Sequence, residues 1–396
     1  MTFDPQAATD AHMAALSAAE LELARAYTTG NHWLILGGLI VSALVTWLIV
    51  KSGVLDWAFR KISDRWQNLR VFVVAAIYTL VNAVLTLPYS IYTDWWRETE
   101  YGRTSQPLSD FLSQGAIGLF LSTLLGAVFF IGLYFLLRRA GSLWWAWAGG
   151  LVAATVSFML LLSPVLIEPL FNDYEPVPDG EVRDAILVMA AEADIPEDRI
   201  SVFDGSRQSN NFTANVSGIG DSARIAISDV ALGEASLDEV RAVTGHEIGH
   251  YVLGHVWRMI GLLSILAIAA FFLTAKTYPM FARLFGSKAE ISDPRGLPVL
   301  LFTVGLFATL AQPALNTLIR VGEREADAYS LETVGLADAL SEALVKTAEY
   351  RYPLAGPIEE TLFYTHPTVR NRVQTAMEWK AANLEKAGKA ANTNAE

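Results

Sequence analysis

The sequence predicts a mainly α-helical, polytopic membrane protein of about six spans, with a small α/β domain inserted among them. Of its 396 residues, 53% are hydrophobic and only 18% are charged, which is more apolar than the soluble average. The mean hydropathy is +0.33. The chain has no cysteine, which excludes disulfides, thiolate metal sites and a cysteine nucleophile. The net charge of -12 offers no basic surface, so we expect no nucleic acid partner.

Six apolar stretches are the basis of the predicted spans. A helix needs roughly 17–25 predominantly apolar residues to cross the hydrocarbon core of a bilayer, and each stretch is long enough. The third stretch has no polar stripe, which a buried helix of a soluble protein would keep. The first stretch is the shortest, and it either spans the bilayer or lies in its interface. The stretches cover residues 33–50, 70–92, 115–137, 143–167, 259–275 and 297–318.

These stretches divide the chain into consecutive parts. The terminal tail, which ends in KAGKAANTNAE, is too small and polar in composition to bury a core, so we expect it to be disordered. The expected parts are a polar N-terminal helix (1–32), four membrane helices (33–167), a soluble segment (168–258), two membrane helices (259–318), C-terminal helices (319–380) and the tail (381–396).

The soluble segment has the pattern of an α/β unit. A helix is predicted over about 180–193, and strands are predicted over 200–205 and 223–232, where apolar and polar residues alternate. A second helix has a clear start signal, because Ser236 followed three positions later by Glu239 forms a capping box. That helix contains the residues most informative about function.

The sequence His246-Glu247-Ile248-Gly249-His250 predicts a metal site. Residues i and i+4 share one face of a helix, so both imidazoles can reach one ion. Glu247 follows the first ligand and can act as general base toward a water molecule at a Zn²⁺ ion, as in zinc metalloproteases. The alternative is a chance match of three residue types on a polar helix.

A catalytic zinc site needs a third protein ligand and one open position. Glu323 and Asp327 lie at i and i+4 directly after the last span, so Glu323 can bind the metal while Asp327 orients a ligand histidine. Spacing alone favours equally a surface ion pair of Glu323 with Arg320 or Arg324. Glu325 lies off that helical face, and we expect a solvated charge.

The chain resembles the type I CAAX prenyl proteases and their bacterial relatives over residues 70–396. The resemblance implies a membrane-embedded zinc endopeptidase with one Zn²⁺ per chain, Glu323 as its third ligand, and a ring of spans that encloses a chamber. It rests on HEIGH, the later E-x-x-x-D at residues 323–327, IEPLFNDYEPVPDG (167–180), SRQSNNFT (206–213), RIAISDVAL (224–232) and YTHPTVRNR (364–372).

The same resemblance assigns further residues. It implies that Asn210 contacts the substrate backbone, that His366 stabilises the oxyanion, and that Arg372 ends the late motif and binds substrate. The alternative for His366 is packing at a helix N-terminus. A peptide or protein substrate, lipidated or not, would bind extended along a strand edge such as 223–229. His255 follows His250 by five residues, so we expect it to point away from the metal and to lie at the membrane boundary.

The chain also departs from the family. Its N-terminal 30 residues are not hydrophobic, whereas eukaryotic members have an additional span there, and Asn211 stands where the family has a small residue. Two other functions therefore stay open. One is a membrane quality-control protease for misfolded or damaged proteins, and the other is a non-catalytic membrane scaffold with a structural zinc.

The side of the membrane on which the soluble segment lies is not settled by the sequence. If all six stretches span, the loops opposite the zinc segment carry eleven basic residues, against three on its own side. The positive-inside rule then places the zinc segment away from the cytosol. The family resemblance implies the cytosolic side instead. In either case we expect an integral protein of a bacterial inner membrane.

Overall fold

The computed structural model describes residues 3–218, 223–348 and 351–393. The strands are β1 (Tyr174–Pro176), β2 (Ile200–Phe203), β3 (Ala214–Ser217) and β4 (Arg224–Ser228). The helices are α1 (Pro5–Met13), α2 (Ala18–Ser52), α3 (Val54–Arg60), α4 (Gln67–Ser90), α5 (Arg97–Glu100), α6 (Leu108–Arg139), α7 (Trp144–Leu162), α8 (Glu181–Glu192), α9 (Asp229–Glu234), α10 (Leu237–Val252), α11 (His255–Phe285), α12 (Leu297–Thr333), α13 (Ala337–Lys346), α14 (Pro357–Phe363) and α15 (Val369–Thr393).

Six helical segments of the described chain are long and apolar enough to cross a membrane, which confirms the predicted number. Each extends beyond its predicted stretch at both ends, because the helical backbone hydrogen bonds continue past the apolar residues. The 37 residues of α12 measure about 55 Å, well beyond the hydrocarbon thickness of a bilayer. Its last turns carry Glu323 and Asp327. The segments are Ala18–Ser52, Asp64–Glu100, Leu108–Arg139, Gly141–Leu170, His255–Phe285 and Pro294–Thr333.

The membrane helices share one apolar core. Leu133 and Tyr134 of α6 are buried against Leu297 and Leu300 at the start of α12, and α4, α7 and α11 contribute further members. The described chain is therefore a polytopic helical protein with a small sheet, as predicted. The chamber that the family resemblance implies stays a prediction.

Both terminal segments differ from their predictions. The single polar helix expected over 1–32 is wrong, because Ser17 and Glu20 form a capping box that starts α2 after α1 has ended. The disordered tail expected over 381–396 is also wrong as far as Thr393, where helix α15 ends. Buried Val373 and Met377 anchor α15 in a core shared with α13, and an anchored helix propagates into residues with little apolar surface of their own.

The four strands form one sheet in the order β1-β2-β4-β3. Strands β2 and β4 are parallel, whereas β1 and β3 pair antiparallel to their neighbours. Ile186 of α8, Ile225 of β4 and Ile248 of α10 are buried in one core. The sheet and these two helices therefore form the α/β unit that the sequence predicts.

Two details of the predicted strands are wrong. The strand expected over 223–232 ends at Ser228, whose hydroxyl accepts from the Ala231 amide and caps α9. In addition, β4 is an inner strand, so it is paired on both sides and offers no free edge to a substrate. In the described sheet, the edge beside α10 belongs to β3.

Two glycines allow α10 to pack closely against α12. A Cβ at Gly245 would lie 2.6 Å from Cγ2 of Val334, and a Cβ at Gly249 would lie 3.2 Å from Cα of Ala326. Larger side chains would separate the helices. The hydroxyl of Ser330 also donates to the Ala242 carbonyl at 2.6 Å. This close approach brings the end of α12 to the two histidines of α10.

Candidate active site

The start of α10 determines which way its histidines face. The predicted capping box is confirmed: the Ser236 hydroxyl accepts from the Glu239 amide, and the Glu239 carboxylate accepts from the Ser236 amide. The Lys346 ammonium also donates to Glu239 at 2.8 Å. From this fixed start, His246 and His250 follow one turn apart on the face that packs toward α12.

The structure brings His246, His250 and Glu323 together, as predicted. One donor atom from each lies within 4.8 Å of the other two. The two Nε2 atoms are 3.1 Å apart, the His246 Nε2 lies 3.4 Å from Glu323 Oε2, and the His250 Nε2 lies 3.5 Å from Glu323 Oε1. Three donors converge on one point, which is the arrangement that a metal ion requires.

Glu323 is not part of the surface ion pair considered as the alternative. The Arg320 guanidinium donates to the backbone carbonyls of Glu360 and Tyr364 instead, and Arg324 lies 4.0 Å from Glu360. Glu323 Oε2 is buried and accepts no hydrogen bond in the described structure. A buried carboxylate oxygen without a donor is costly unless a cation binds it, so this atom fits a metal ligand.

Asp327 lies behind His246, as predicted for an orienting residue. Its Oδ1 is 2.9 Å from the His246 Nδ1, which leaves the His246 Nε2 directed at Glu323. Arg372 donates to both oxygens of Asp327, at 2.6 and 2.8 Å. These contacts account for the position of the Arg372 side chain, whereas the substrate contact predicted for it stays a prediction.

The prediction that His255 points away from the metal is wrong. Nδ1 of His255 is 2.7 Å from Nδ1 of His250, and Nε2 of His255 is 3.0 Å from Glu325 Oε2. The expectation that His255 points away assumed one continuous helix. Instead α10 ends, Gly254 adopts φ +66°, and α11 begins at His255, so the chain turns back toward His250. The Leu-Gly-His sequence is a helix stop signal that could have shown this.

Glu247 faces the cavity beside the ligand cluster. The side chain is half-buried, and burial raises the pKa of Glu247 to about 7, with the nearby Glu323 charge acting in the same direction against the lowering effect of His246. The backbone N–H of Val216, on the edge strand β3, donates to it. A carboxyl group with a pKa near neutrality can both accept and return a proton.

His366 lies opposite α10, in the loop between α14 and α15. Its Nε2 is 3.2 Å from Glu323 Oε2 and its Nδ1 is 2.9 Å from the Thr365 hydroxyl. Burial lowers the pKa of His366 to about 3, so the imidazole is neutral. His366 lies three positions before the first residue of helix α15, and its Nε2 reaches Glu323, so packing at the start of that helix does not by itself explain its position.

The cluster opens into a cavity of about 290 Å³. Glu247, His366 and Arg372 line it, and so does the stretch 212–214 that leads into β3. Asn210 is not among the lining residues. Its side-chain amide donates to the Gly102 carbonyl at 2.9 Å, and its carbonyl oxygen accepts from the Ser105 hydroxyl at 3.1 Å. The substrate contact predicted for Asn210 therefore stays a prediction.

These features define a membrane-embedded metallopeptidase. Comparison with protein families supports this class: residues 176–380 match peptidase family M48, and residues 5–173 match the CAAX prenyl protease N-terminal family of five membrane helices. The chain therefore belongs to peptidase family M48, and it hydrolyses peptide bonds. Within residues 5–173 the structure describes four helices able to span, one fewer than the family description.

Several relatives align over most of the chain. An uncharacterized metalloprotease of Bacillus subtilis, YhfN, is 26% identical over 366 residues, which cover 90% of this chain and 85% of that protein. The CAAX prenyl protease 1 homolog of Arabidopsis thaliana is 27% identical and covers 91% and 88%. The crystal structure of S. mikatae Ste24p matches with a TM-score of 0.67 at 21% identity, over 85% of this chain and 80% of that one, which confirms the fold.

Proposed function

We propose that the protein is a zinc endopeptidase of the bacterial inner membrane, with His246, His250 and Glu323 as its metal ligands. The observation that carries the proposal is the convergence of these three donors. Their separations of 3.1, 3.4 and 3.5 Å match the edges of about 3.4 Å expected for tetrahedral ligands roughly 2.0–2.1 Å from zinc. Two imidazoles and one carboxylate, with the fourth position left open, are typical of a catalytic zinc site.

Glu247 is the proposed general base. When bound, zinc would supply a Lewis acid that lowers the pKa of water and polarises the scissile carbonyl. Glu247 accepts the proton of the attacking water and passes it to the leaving amine. The half-buried position of the carboxyl group suits this role, because a pKa of about 7 matches a proton that must be taken up and released in each turnover.

His366 is proposed to stabilise the charge that develops on the carbonyl oxygen. Its imidazole is neutral and reaches the same point as the metal ligands. If the Thr365 hydroxyl donates to Nδ1, the remaining proton lies on Nε2 and can be donated to an oxyanion. A fixed donor of this kind acts where water is excluded and needs no reorganisation during the reaction.

The substrate is proposed to bind extended along β3. This strand is the free edge beside α10, and its Val216 amide already reaches Glu247. A peptide added to this edge would place its backbone across the zinc ligands. The names of the CAAX prenyl protease relatives make a prenylated C-terminal peptide the first substrate to test.

The test is peptide cleavage by the detergent-purified protein and its Glu247→Gln variant. The panel holds one sequence in two forms, with and without a farnesylated cysteine. We expect zinc-dependent cleavage that falls at least about 100-fold in the variant, while one zinc per chain remains bound. Metal content measured by mass spectrometry separates loss of the base from loss of the metal.

A control variant should leave both the cleavage rate and the zinc content unchanged. Glu342→Gln removes an exposed carboxylate from α13, outside the ligand cluster. Full activity in the Glu247→Gln protein would contradict the assigned base. Zinc binding without cleavage of any peptide by the unmodified protein would favour the structural zinc of a scaffold.

A further inference from the structure

A second arginine lies in the wall of the catalytic cavity. Among the described lining residues two arginines face this space, Arg372 and Arg351. Asp327 accepts two hydrogen bonds from Arg372, so that charge is neutralised within the protein. No carboxylate of the described residues lies within 4.0 Å of the Arg351 guanidinium. The cavity therefore contains one guanidinium that no carboxylate of the described residues contacts directly, with the Glu323 charge acting on it only from a greater distance.

The contacts of Arg351 use little of its hydrogen-bonding capacity. Its Nη2 donates to the Thr365 hydroxyl at 3.3 Å, and its guanidinium carbon lies 5.3 Å from the centre of the Tyr364 ring. A guanidinium has five N–H donors, so most of them are available to a ligand. Burial lowers the pKa of Arg351, which is the cost of holding a charge in this environment. A bound anion would offset that cost.

Arg351 is close to the reacting groups. Thr365, which accepts its hydrogen bond, lies 2.9 Å from the His366 Nδ1, and the His366 Nε2 lies 3.2 Å from Glu323. The guanidinium is thus separated from the metal ligands by two side chains. Apolar residues line the cavity as well, namely Val243, Leu340, Ala343, Leu344 and Val369. Apolar walls with one cationic end fit an apolar peptide segment that carries a carboxylate.

We propose that Arg351 binds a carboxylate of the peptide substrate and thereby selects which peptides are cleaved. The planar fork of a guanidinium pairs with both oxygens of a carboxylate, which gives orientation as well as affinity. Two groups could supply it: the free C-terminus of the substrate, or an Asp or Glu side chain. The inference rests on the proposed peptidase function, but it concerns binding, so it can be tested without turnover.

The experiment measures peptide binding in the Glu247→Gln background. Three fluorescein-labelled probes share one apolar sequence: one ends in a free carboxylate, one in an amide, and one in an amide with a Glu side chain near that end. We expect the carboxylate probe to bind about 10- to 100-fold more tightly than the plain amide. The third probe identifies the source, because it binds like the first only if a side-chain carboxylate suffices.

Adding Arg351→Gln should reduce the carboxylate-to-amide ratio to near one. Arg351→Lys should give an intermediate ratio, since lysine retains the charge but not the planar fork. If the Arg351→Gln protein fails to fold, a lowered ratio in Arg351→Lys still tests the proposal. The matched control is Arg324→Gln, an exposed arginine of α12 that should keep the full ratio.

Equal binding of carboxylate and amide probes before Arg351 is changed would overturn the inference. So would a ratio that survives both Arg351 substitutions. Failure of the peptidase function is recognised separately, as the absence of cleavage by the unmodified protein. Zinc content and the melting temperature, measured for each variant, show whether an altered ratio reflects the binding site or a damaged fold.

Discussion

The two histidines proposed as zinc ligands share one side of one helix but are held by different surroundings. His246 is oriented directly by Asp327, which is in turn bound by Arg372. His250 is oriented through an intermediate, His255, whose other nitrogen contacts Glu325. The Asp327 side chain is 5% exposed, whereas that of Glu325 is 42% exposed. One chain of contacts ends in the interior and the other ends in water.

This difference in exposure determines how strongly a substitution in each series of contacts should affect the protein. A buried ion pair that loses one partner leaves an uncompensated charge, which is strongly destabilising. An exposed pair is replaced by water and contributes little. The surroundings also favour opposite charge states without metal: burial lowers the pKa of His250 to about 4, whereas Asp327 and Glu323 raise that of His246 to about 9 although burial opposes it.

The largest effect on stability and zinc binding is expected in the buried series of contacts, which consists of His246, Asp327 and Arg372. Asp327→Ala removes the partner of both His246 and Arg372, and it should lower the free energy of unfolding by about 3–5 kcal/mol as well as weaken zinc binding. Thermal unfolding in detergent and competition with a zinc chelator measure the two effects. The double variant Asp327→Ala, Arg372→Met should recover most of the stability but not the zinc affinity. If the Asp327→Ala protein melted at the same temperature as the unmodified protein, the buried ion pair would not be stabilising as argued.

A smaller effect is expected at His255, which lies between His250 and Glu325 in the exposed series of contacts. His255→Ala removes the group that contacts the His250 Nδ1, so zinc affinity should fall about 10- to 100-fold, with little change in melting temperature. His12→Ala is the matched control, since His12 lies on α1 and its Nε2 is 3.6 Å from Asp338. If chelator competition gives the same zinc affinity for both variants, His250 does not depend on His255 for its orientation.

The smallest effect is expected at Glu325, the solvent-exposed end of the same series of contacts. Glu325→Gln keeps a hydrogen-bond acceptor for His255 but loses the charge that pairs with Arg258 at 2.5 Å. Because this pair is exposed, zinc affinity should fall by no more than about fivefold, and less at high ionic strength. A loss as large as that of Asp327→Ala would mean that exposure does not govern the difference between the two chains.

Features encoded by local signals were predicted well. Apolar length predicted six spans, and the described part of the chain contains six helical segments able to cross a membrane. Ser236 and Glu239 predicted the start of α10, which begins there because the two residues satisfy each other's backbone groups. The i and i+4 spacing of His246 and His250 placed both imidazoles on one face. Each of these inferences depends only on residues within a few turns of one another.

Features that depend on how distant segments meet were predicted poorly. A substrate was predicted to bind along a strand edge such as 223–229, but β2 and β3 pair with both sides of that strand. His255 was expected to point away, but Gly254 turns the chain back toward His250. The role of Arg351 could not be predicted, because no residue near it in sequence indicates that it lines a cavity together with residues of α10, α12 and α13.

By itself the sequence determined the class of protein, the membrane helices and the residue types that can hold a metal, because hydrophobic length, capping and i,i+4 spacing are local properties. Only the tertiary structure decided which strand is the edge beside α10, which acid contacts which histidine, and which cavity arginine has no carboxylate of the described residues in contact with it. Those choices depend on packing between segments far apart in the chain, such as Gly249 against Ala326, where an added Cβ would lie 3.2 Å away. The backbones of α10 and α12 can approach closely only because the helix surface is bare at these glycines.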